Sequence, residues 1–301
     1  MKDTAAFELA QTAIFILGAA YSGTTWLAKI IDSHPDILYR HEPDLIVPPQ
    51  NLPILEQSAL WIAQNDVKVA AKWPHFTKSR LPGPLSHLYA SLAVSLNLVD
   101  RLCGKHLCPR MPDIGMHHQR LRVALKLVGR DGSLTAEALP NSRSVFILRH
   151  PCGHVASALN RSAKTIDTAS AHTEHIQAMA YAGARGKVPL NKYDKQSTVA
   201  KLAWAWMAFN EPMIHRLAAL PNAHIVVYED LCQRPIETIQ AVFDFVGLTR
   251  TGQTDHYLTR STPRMIAKAH HWRSAMSATD QVTVNAIVRT SPLARYWPEL
   301  S

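Results

Sequence analysis

Three features of this 301-residue chain combine residue types and spacing suited to holding an anion. The first is the loop Gly18-Ala-Ala-Tyr21-Ser22-Gly23-Thr24-Thr25-Trp26, directly after the apolar run Ala13 to Leu17. Glycine lets a chain turn tightly and leaves room for a ligand against the backbone. With a helix starting near Thr24, backbone N–H groups and the positive end of the helix form an anion site. The hydroxyls of Ser22, Thr24 and Thr25 add donors. The second feature is Lys126, inside the apolar run Val123-Ala-Leu-Lys126-Leu-Val128. An unpaired ammonium is costly to bury, so this lysine needs either a counter-charge or a route to water along its stem. The third is Arg149, which closes the run Ser144 to Leu148 and precedes His150-Pro151. Its guanidinium is a fork of charged donors that matches phosphate oxygens.

The first loop invites comparison with the phosphate loop GxxxxGK[ST]. Gly18 and Gly23 have the required spacing and Thr25 stands in the Ser/Thr place, but Thr24 replaces the lysine. That lysine reaches the β- and γ-phosphates of a triphosphate. Its absence argues against ATP or GTP hydrolysis and leaves room for a nucleotide with a single substituted 5′-phosphate. The formal charge of +9 favours anionic partners in general. No dense Lys/Arg run is present, which argues against a nucleic-acid or lipid-binding arm. The four cysteines, Cys103, Cys108, Cys152 and Cys232, form no CxxC pair, and His117-His118 and His270-His271 lack metal-ligand spacing. Free thiols and no metal site are expected.

These groups need a scaffold. Ala13–Leu17, Val123–Val128, Ser144–Leu148 and His224–Tyr228 read as buried parallel strands. Leu27, Ile30 and Ile31 mark a helix that His34-Pro35 ends. Val155, Ala158 and Leu159 mark a second, after Cys152. Val199, Leu202, Trp206, Phe209 and Met213 mark a long third, and Pro235 opens a fourth. Strands alternating with helices predict one α/β domain over residues 1–301, with a mostly parallel central sheet covered on both faces. Residues 43–53 and 182–193 read as irregular. A composition with 47% hydrophobic and 18% charged residues fits a folded globular chain. No apolar stretch is long enough to span a bilayer and no signal peptide is apparent, so a soluble cytoplasmic protein is expected.

Ser22-Gly-Thr-Thr-Trp-Leu27, with His34-Pro-Asp36 and Glu42-Pro43 downstream, resembles the sulfotransferase family. A second motif of that family starts Arg-[Asp/His]-Pro and has a Ser eight positions beyond the Arg. Arg149-His150-Pro151 and Ser157 match it. The resemblance implies a fold like that of P-loop nucleoside triphosphatases. It also implies a donor, 3′-phosphoadenosine 5′-phosphosulfate, that leaves as adenosine 3′,5′-bisphosphate, with no metal. Tyr21 to Trp26 would hold the 5′-phosphosulfate, and Arg149 and Ser157 the 3′-phosphate. Val227-Tyr228-Glu-Asp-Leu231 resembles a later passage of the family and adds Tyr228 to the nucleotide site. The stretch Arg264 to Arg273 resembles a C-terminal loop that covers the nucleotide, with Arg264 or Lys268 at the 3′-phosphate.

Sulfuryl transfer needs a base for the acceptor and positive charge for the leaving phosphate. One branch of the family carries a His two positions after a catalytic Lys; Lys126 fits the Lys, but Val128 stands where the His belongs. Another branch, resembling tyrosylprotein sulfotransferases, uses a Glu after the His-Pro turn, which assigns Glu42 as general base and Lys126 as the neutralising cation. A surface Glu42 paired with Arg40 or His41 is the alternative. The family places Lys or Arg before Ser-Gly-Thr-Thr, whereas here Tyr21 stands there, and a phenol carries no positive charge near neutral pH. Either Lys126, alone or with Lys72, then supplies that charge, or the chain binds donor without transferring. The acceptor, a hydroxyl or less favourably an amine of a small molecule, glycan or peptide, is expected on loops at residues 45–120 and 162–196. A P-loop kinase or triphosphatase and a non-catalytic binder of anions or nucleic acid are the rival readings.

Overall fold

The computed structural model describes residues 4–45, 51–63, 122–129, 131–162 and 179–300. Its centre is a five-stranded sheet: β1 (Ile14–Gly18), β2 (Ile37–His41), β3 (Arg122–Val128), β4 (Arg143–Leu148) and β5 (Ala223–Val227). The spatial order is β2-β3-β1-β4-β5, and every pairing is parallel. Side chains alternate across the pleat. Phe15, Leu17, Leu125, Phe146 and Leu148 enter one core layer, and Ile14, Ile16, Ala124, Val145 and Ile147 the other. Both faces are buried, so the strands read as apolar runs without polar alternation.

Eleven helices are labelled among the described residues. They are α1 (Thr4–Gln11), α2 (Thr24–Asp32), α3 (Ile54–Ala63), α4 (Gly132–Ala138), α5 (Pro151–Ser162), α6 (Thr198–Leu217), α7 (Tyr228–Gln233), α8 (Pro235–Val246), α9 (Gly252–Ala269), α10 (Trp272–Ala275) and α11 (Ala278–Val288). The two helices that position the site start at the C-terminal ends of neighbouring strands. After β1 the chain turns into α2, whose Leu27, Ile30 and Ile31 are fully buried in one core layer. Each such side chain contributes roughly 2 kcal/mol by burial. After β4 it turns into α5, whose Cys152, Val155 and Ala158 enter the opposite layer. Adjacent parallel strands whose connections leave on opposite faces open a crevice at their C-terminal ends, where α/β folds bind ligands.

Several expectations need correction. β2 was not anticipated: Arg40 and His41 interrupt its apolar pattern, yet all five residues are buried. Pairing with β3 overrides local composition there, and Arg40 Nη2 donates to the Ile62 carbonyl at 3.4 Å. β5 stops at Val227, and Tyr228 starts α7 rather than ending the strand. The segment expected to cover the cleft as a loop is helical as far as Ala269 within α9, with Pro263 inside the helix. Pro43–Leu45 is a 3-10 turn and Leu190–Tyr193 a single helical turn. Cys152 and Cys232 are buried free thiols. Cys103, Cys108, Lys72 and His117-His118 lie outside the described residues. No helix among the described residues is long and apolar enough to cross a membrane.

Candidate active site

The loop after β1 holds two residues at positive φ, Tyr21 at 64° and Gly23 at 95°. Gly23 is required by packing as well as by its dihedral. A Cβ there would lie 2.5 Å from Cδ2 of Tyr228, so the missing side chain lets the Tyr228 ring close over the loop. Gly23 caps α2 without a side-chain acceptor, which leaves the first-turn N–H groups for an external anion. Ser22 is fully buried, and its Oγ has no hydrogen-bond partner among the described residues. Thr24 is buried too, whereas Gly23, Thr25 and Trp26 line a cleft of about 1290 Å³.

Arg149 forms the opposite wall. Its Nη1 donates to the Tyr21 carbonyl at 2.8 Å and to Ser157 Oγ at 3.0 Å, and its Nη2 donates to the Lys268 carbonyl at 3.2 Å. The guanidinium also lies over the Tyr228 ring, 4.8 Å from its centroid. Gly153 permits this placement, since a Cβ there would sit 3.0 Å from Arg149 Nε. One fork thus ties together the first loop, α5 and the end of α9.

A layer below, Glu229 holds the turn that carries Arg149. The carboxylate is 8% exposed and accepts the His150 backbone N–H at 3.2 and 3.3 Å, and the Trp297 indole N–H at 3.3 Å. Burial raises its pKa to about 7, against the pull of these hydrogen bonds and Arg149. The His150 ring stacks on Trp272, with centroids 4.5 Å apart at 7°. Burial, with Arg273, Arg149 and His270 adding to it, lowers the His150 pKa to about 3.

The cleft is strongly cationic. Lys29, Arg149, Arg260, Arg264 and Lys268 line it, and no carboxylate does so among the described residues. Gln253, His256, Tyr257, Arg260, Ser261, Arg264, Met265 and Lys268 fall at spacings of three and four, so one stripe of α9 supplies a whole wall. Burial lowers the Lys268 pKa, and Arg264 and Arg149 lower it further. Burial also lowers that of Lys29; Asp32 opposes this and Arg264 adds to it. Like charges held this close favour a bound polyanion. Trp26 is fixed by its indole N–H, which donates to Ser261 Oγ at 2.9 Å, and it meets the Tyr228 ring edge-on.

Glu42 and Lys126 stand beside this cleft. Lys126, 2% exposed, donates from Nζ to Thr25 Oγ1 at 2.8 Å and to Glu42 Oε1 at 2.5 Å. Among the described residues Glu42 is the other non-glycine residue at positive φ, 46°, and its N–H donates to the Lys126 carbonyl at 3.0 Å. His41 Nε2 lies 3.8 Å from the same carboxylate oxygen. Glu42 lines a second, smaller cavity of about 320 Å³, and Tyr21 belongs to the walls of both spaces.

The sulfotransferase family model matches residues 13–252. The chain belongs to the sulfotransferase family. No curated protein is significantly similar to it in sequence. Among solved structures it is similar to the sulfotransferase domain of the curacin biosynthetic pathway (14% identity, 93% of this chain and 96% of that one, TM-score 0.49). It is also similar to the sulfotransferase domain of the Synechococcus PCC 7002 olefin synthase (16%, 93% and 94%, 0.48). A third is mouse sulfotransferase SULT7A1 complexed with PAP (11%, 98% and 92%, 0.46).

In this sulfotransferase the residues singled out in the sequence gather at one crevice. Tyr21, Gly23, Thr25, Trp26, Arg149, Ser157, Tyr228, Arg264 and Lys268 line the large cleft, and Ser22 and Thr24 are buried in the loop that forms its floor. Lys126 touches Thr25 from behind, and Glu42 faces the smaller cavity. Sequence reading missed Lys29, Arg260, His154 and Asp44. Arg260, Arg264 and Lys268 at successive intervals of four carry a readable signal of a basic helical face. His154 and Asp44 carry none.

Proposed function

We propose that this sulfotransferase moves the sulfuryl group of 3′-phosphoadenosine 5′-phosphosulfate to a hydroxyl of an acceptor, with Glu42 as general base and adenosine 3′,5′-bisphosphate as product. One observation carries the reading: Lys126 Nζ joins Thr25 of the cationic cleft to Glu42 of the smaller cavity. A transfer centre needs this juxtaposition of an anion site, a cation and a base.

The residues fit such a donor. The orphaned Ser22 Oγ, the uncapped α2 and Thr25 suit the 5′-phosphosulfate. Arg149 and Ser157 suit the 3′-phosphate, with Lys268 and Arg264 completing the cationic wall. Trp26 and Tyr228 offer aromatic edges between the two ends. Bound there, the donor supplies an electrophilic sulfur and a phosphate leaving group. Lys126 neutralises the charge that develops on the bridging oxygen, the task for which Tyr21 has no charge to offer. As Lys126 turns towards that oxygen it releases Glu42, whose carboxylate takes the acceptor proton. Amine acceptors form the second class open to the same base.

Calorimetric titration with adenosine 3′,5′-bisphosphate tests the donor assignment. Micromolar or tighter binding without added metal is expected. Absence of binding, or magnesium-dependent ATP hydrolysis in its place, overturns it.

A further inference from the structure

A further cavity, of about 480 Å³, shares no described lining residue with the cationic cleft or with the cavity at Glu42. α6 presents a different face to each of the two smaller spaces. Trp206 and Phe209 line the one at Glu42, whereas Met207, Ala208 and Glu211 line this one. The floor here is apolar and belongs to the packed core: Met207 is 1% exposed, and Ile214 and Leu293 are 2% exposed. The rim is cationic. Arg185 and Lys187 flank Gly186, whose φ of 76° turns the chain so that both side chains serve one cavity. Both belong to the segment 182–193, whose glycines and basic residues have no part in the crevice described above. The segment packs directly on α6, since a Cβ at Gly183 would meet the Trp204 carbonyl at 2.4 Å. Arg295, on the 3-10 turn Pro292–Tyr296, is the third cation. Lys187 Nζ lies 4.0 Å from Met207 Sδ, so its ammonium leans over the floor onto a thioether, a weak acceptor. None of these three cations makes an ion pair among the described residues. Glu211 and His215, one helical turn apart on α6, complete the charged and titratable lining among the described residues.

We infer that this cavity is a second anion site, apart from the crevice of transfer, and that it takes an amphiphilic anion: an alkyl or aryl body carrying a carboxylate or a sulfate ester. A guanidinium fork matches the oxygens of either head group. The apolar floor repays burial of the body. A volume of about 480 Å³ falls within the roughly 300–1,000 Å³ of small-molecule pockets. A nucleotide or inorganic phosphate would leave the floor unused, and a neutral or cationic amphiphile would leave the rim unused. A sulfate ester is also the class of product that the proposed transfer to a hydroxyl yields. The site itself depends neither on the donor assignment nor on Glu42.

The test is calorimetric titration of the protein saturated with adenosine 3′,5′-bisphosphate, using octyl sulfate, octanoate, octanol and octyltrimethylammonium. Saturation keeps the anions out of the large cleft. Octyl sulfate or octanoate is expected to bind at one site at least tenfold more tightly than octanol, and octyltrimethylammonium not to bind. Whichever of the two anions binds more tightly identifies the head group. Arg185→Ala, Lys187→Ala and Arg295→Ala should each weaken the anion by about threefold, the scale of a single exposed charge contact, and the triple variant by about 30-fold. Bisphosphate affinity should stay within twofold in all of them. All three positions are exposed, so the variants should fold; thermal unfolding confirms it. Octanol binding as tightly as the anions, a triple variant that binds them normally, or anion binding that bisphosphate abolishes would each overturn the inference. Failure of bisphosphate to bind would instead strike the donor assignment, and the comparison of wild type with the triple variant, run without it, would still decide this site.

Discussion

Lys126 and Glu42 are joined twice, by a 2.5 Å contact between Nζ and Oε1 and by a 3.0 Å hydrogen bond from the Glu42 N–H to the Lys126 carbonyl. The backbone bond extends the β2–β3 pairing by one residue and fixes where the Glu42 side chain leaves the sheet. The side-chain bond gives the buried ammonium its counter-charge. In the proposed reaction the cation mutes the base at rest, and its movement towards the developing phosphate charge frees that base at the moment of transfer.

The first prediction concerns this pair in catalysis. Glu42→Gln is expected to lower kcat by about 100-fold or more, the usual scale of a lost general base. Bisphosphate affinity should stay within twofold. Steady-state rates and calorimetry on the same preparation check both halves, and unchanged turnover would remove Glu42 from the mechanism.

The same pair predicts a stability pattern. Glu42→Ala removes the carboxylate bonded to a lysine that is 2% exposed, at a cost of roughly 3 kcal/mol. Replacing Lys126 by Met in that background removes the buried charge that has lost this partner. The double variant should therefore be more stable than Glu42→Ala alone, as read from chemical denaturation. Strict additivity would mean that the two residues are not coupled.

Arg149→Lys should weaken bisphosphate binding by about tenfold to 100-fold. A lysine cannot hold the Tyr21 carbonyl, Ser157 Oγ and the Lys268 carbonyl together and still present a fork to phosphate. Titration at two salt concentrations separates this geometric loss from simple screening.

At Gly23, alanine meets the Tyr228 ring at 2.5 Å and a φ of 95°. Gly23→Ala is expected to destabilise the protein by about 2 kcal/mol and to weaken bisphosphate binding. Adding Tyr228→Ala relieves the clash but not the dihedral strain, so thermal stability should recover only in part.

Glu229 predicts a pH effect of defined sign. Its folded pKa of about 7 lies above its ordinary 4.5, so its contribution to stability is complete below 4.5 and is lost as pH rises through 7. The shift corresponds to about 3 kcal/mol. His150 works in the opposite sense: its folded pKa of about 3 lies below 6.5, so its contribution is present above 6.5 and is lost as pH falls towards 3. Glu229→Gln removes only the first effect. The stability difference between variant and wild type should therefore shift in favour of Gln by about 3 kcal/mol between pH 4.5 and pH 7.5. A constant difference would show that Glu229 does not titrate in this range.

Much of the fold was legible because its signals are local. A parallel strand covered on both faces must be an apolar run, and β1, β3, β4 and β5 are such runs. β2 was hidden, because Arg40 and His41 are tolerated there only through tertiary partners. The α9 stripe was obscured by Pro263 and by many polar residues, which a sequence reads as a solvated surface. Tyr228 was read as the end of a strand because an apolar run does not reveal where its hydrogen-bonded ladder stops.

By itself, the sequence determined the anion loop from Gly18 to Trp26, the Arg149–Ser157 interval and the alternation that makes a parallel sheet. All three depend on neighbours within a turn or two, where backbone geometry follows from residue type. Only the tertiary structure decided that Lys126 reaches Thr25 and Glu42, across 101 and 84 positions. It also decided that α9 walls the cleft and that α6 and α5 enclose an apolar cavity beside Glu42. Those relationships come from sheet order and from the faces on which α2 and α5 leave the sheet, which no short window of residues encodes.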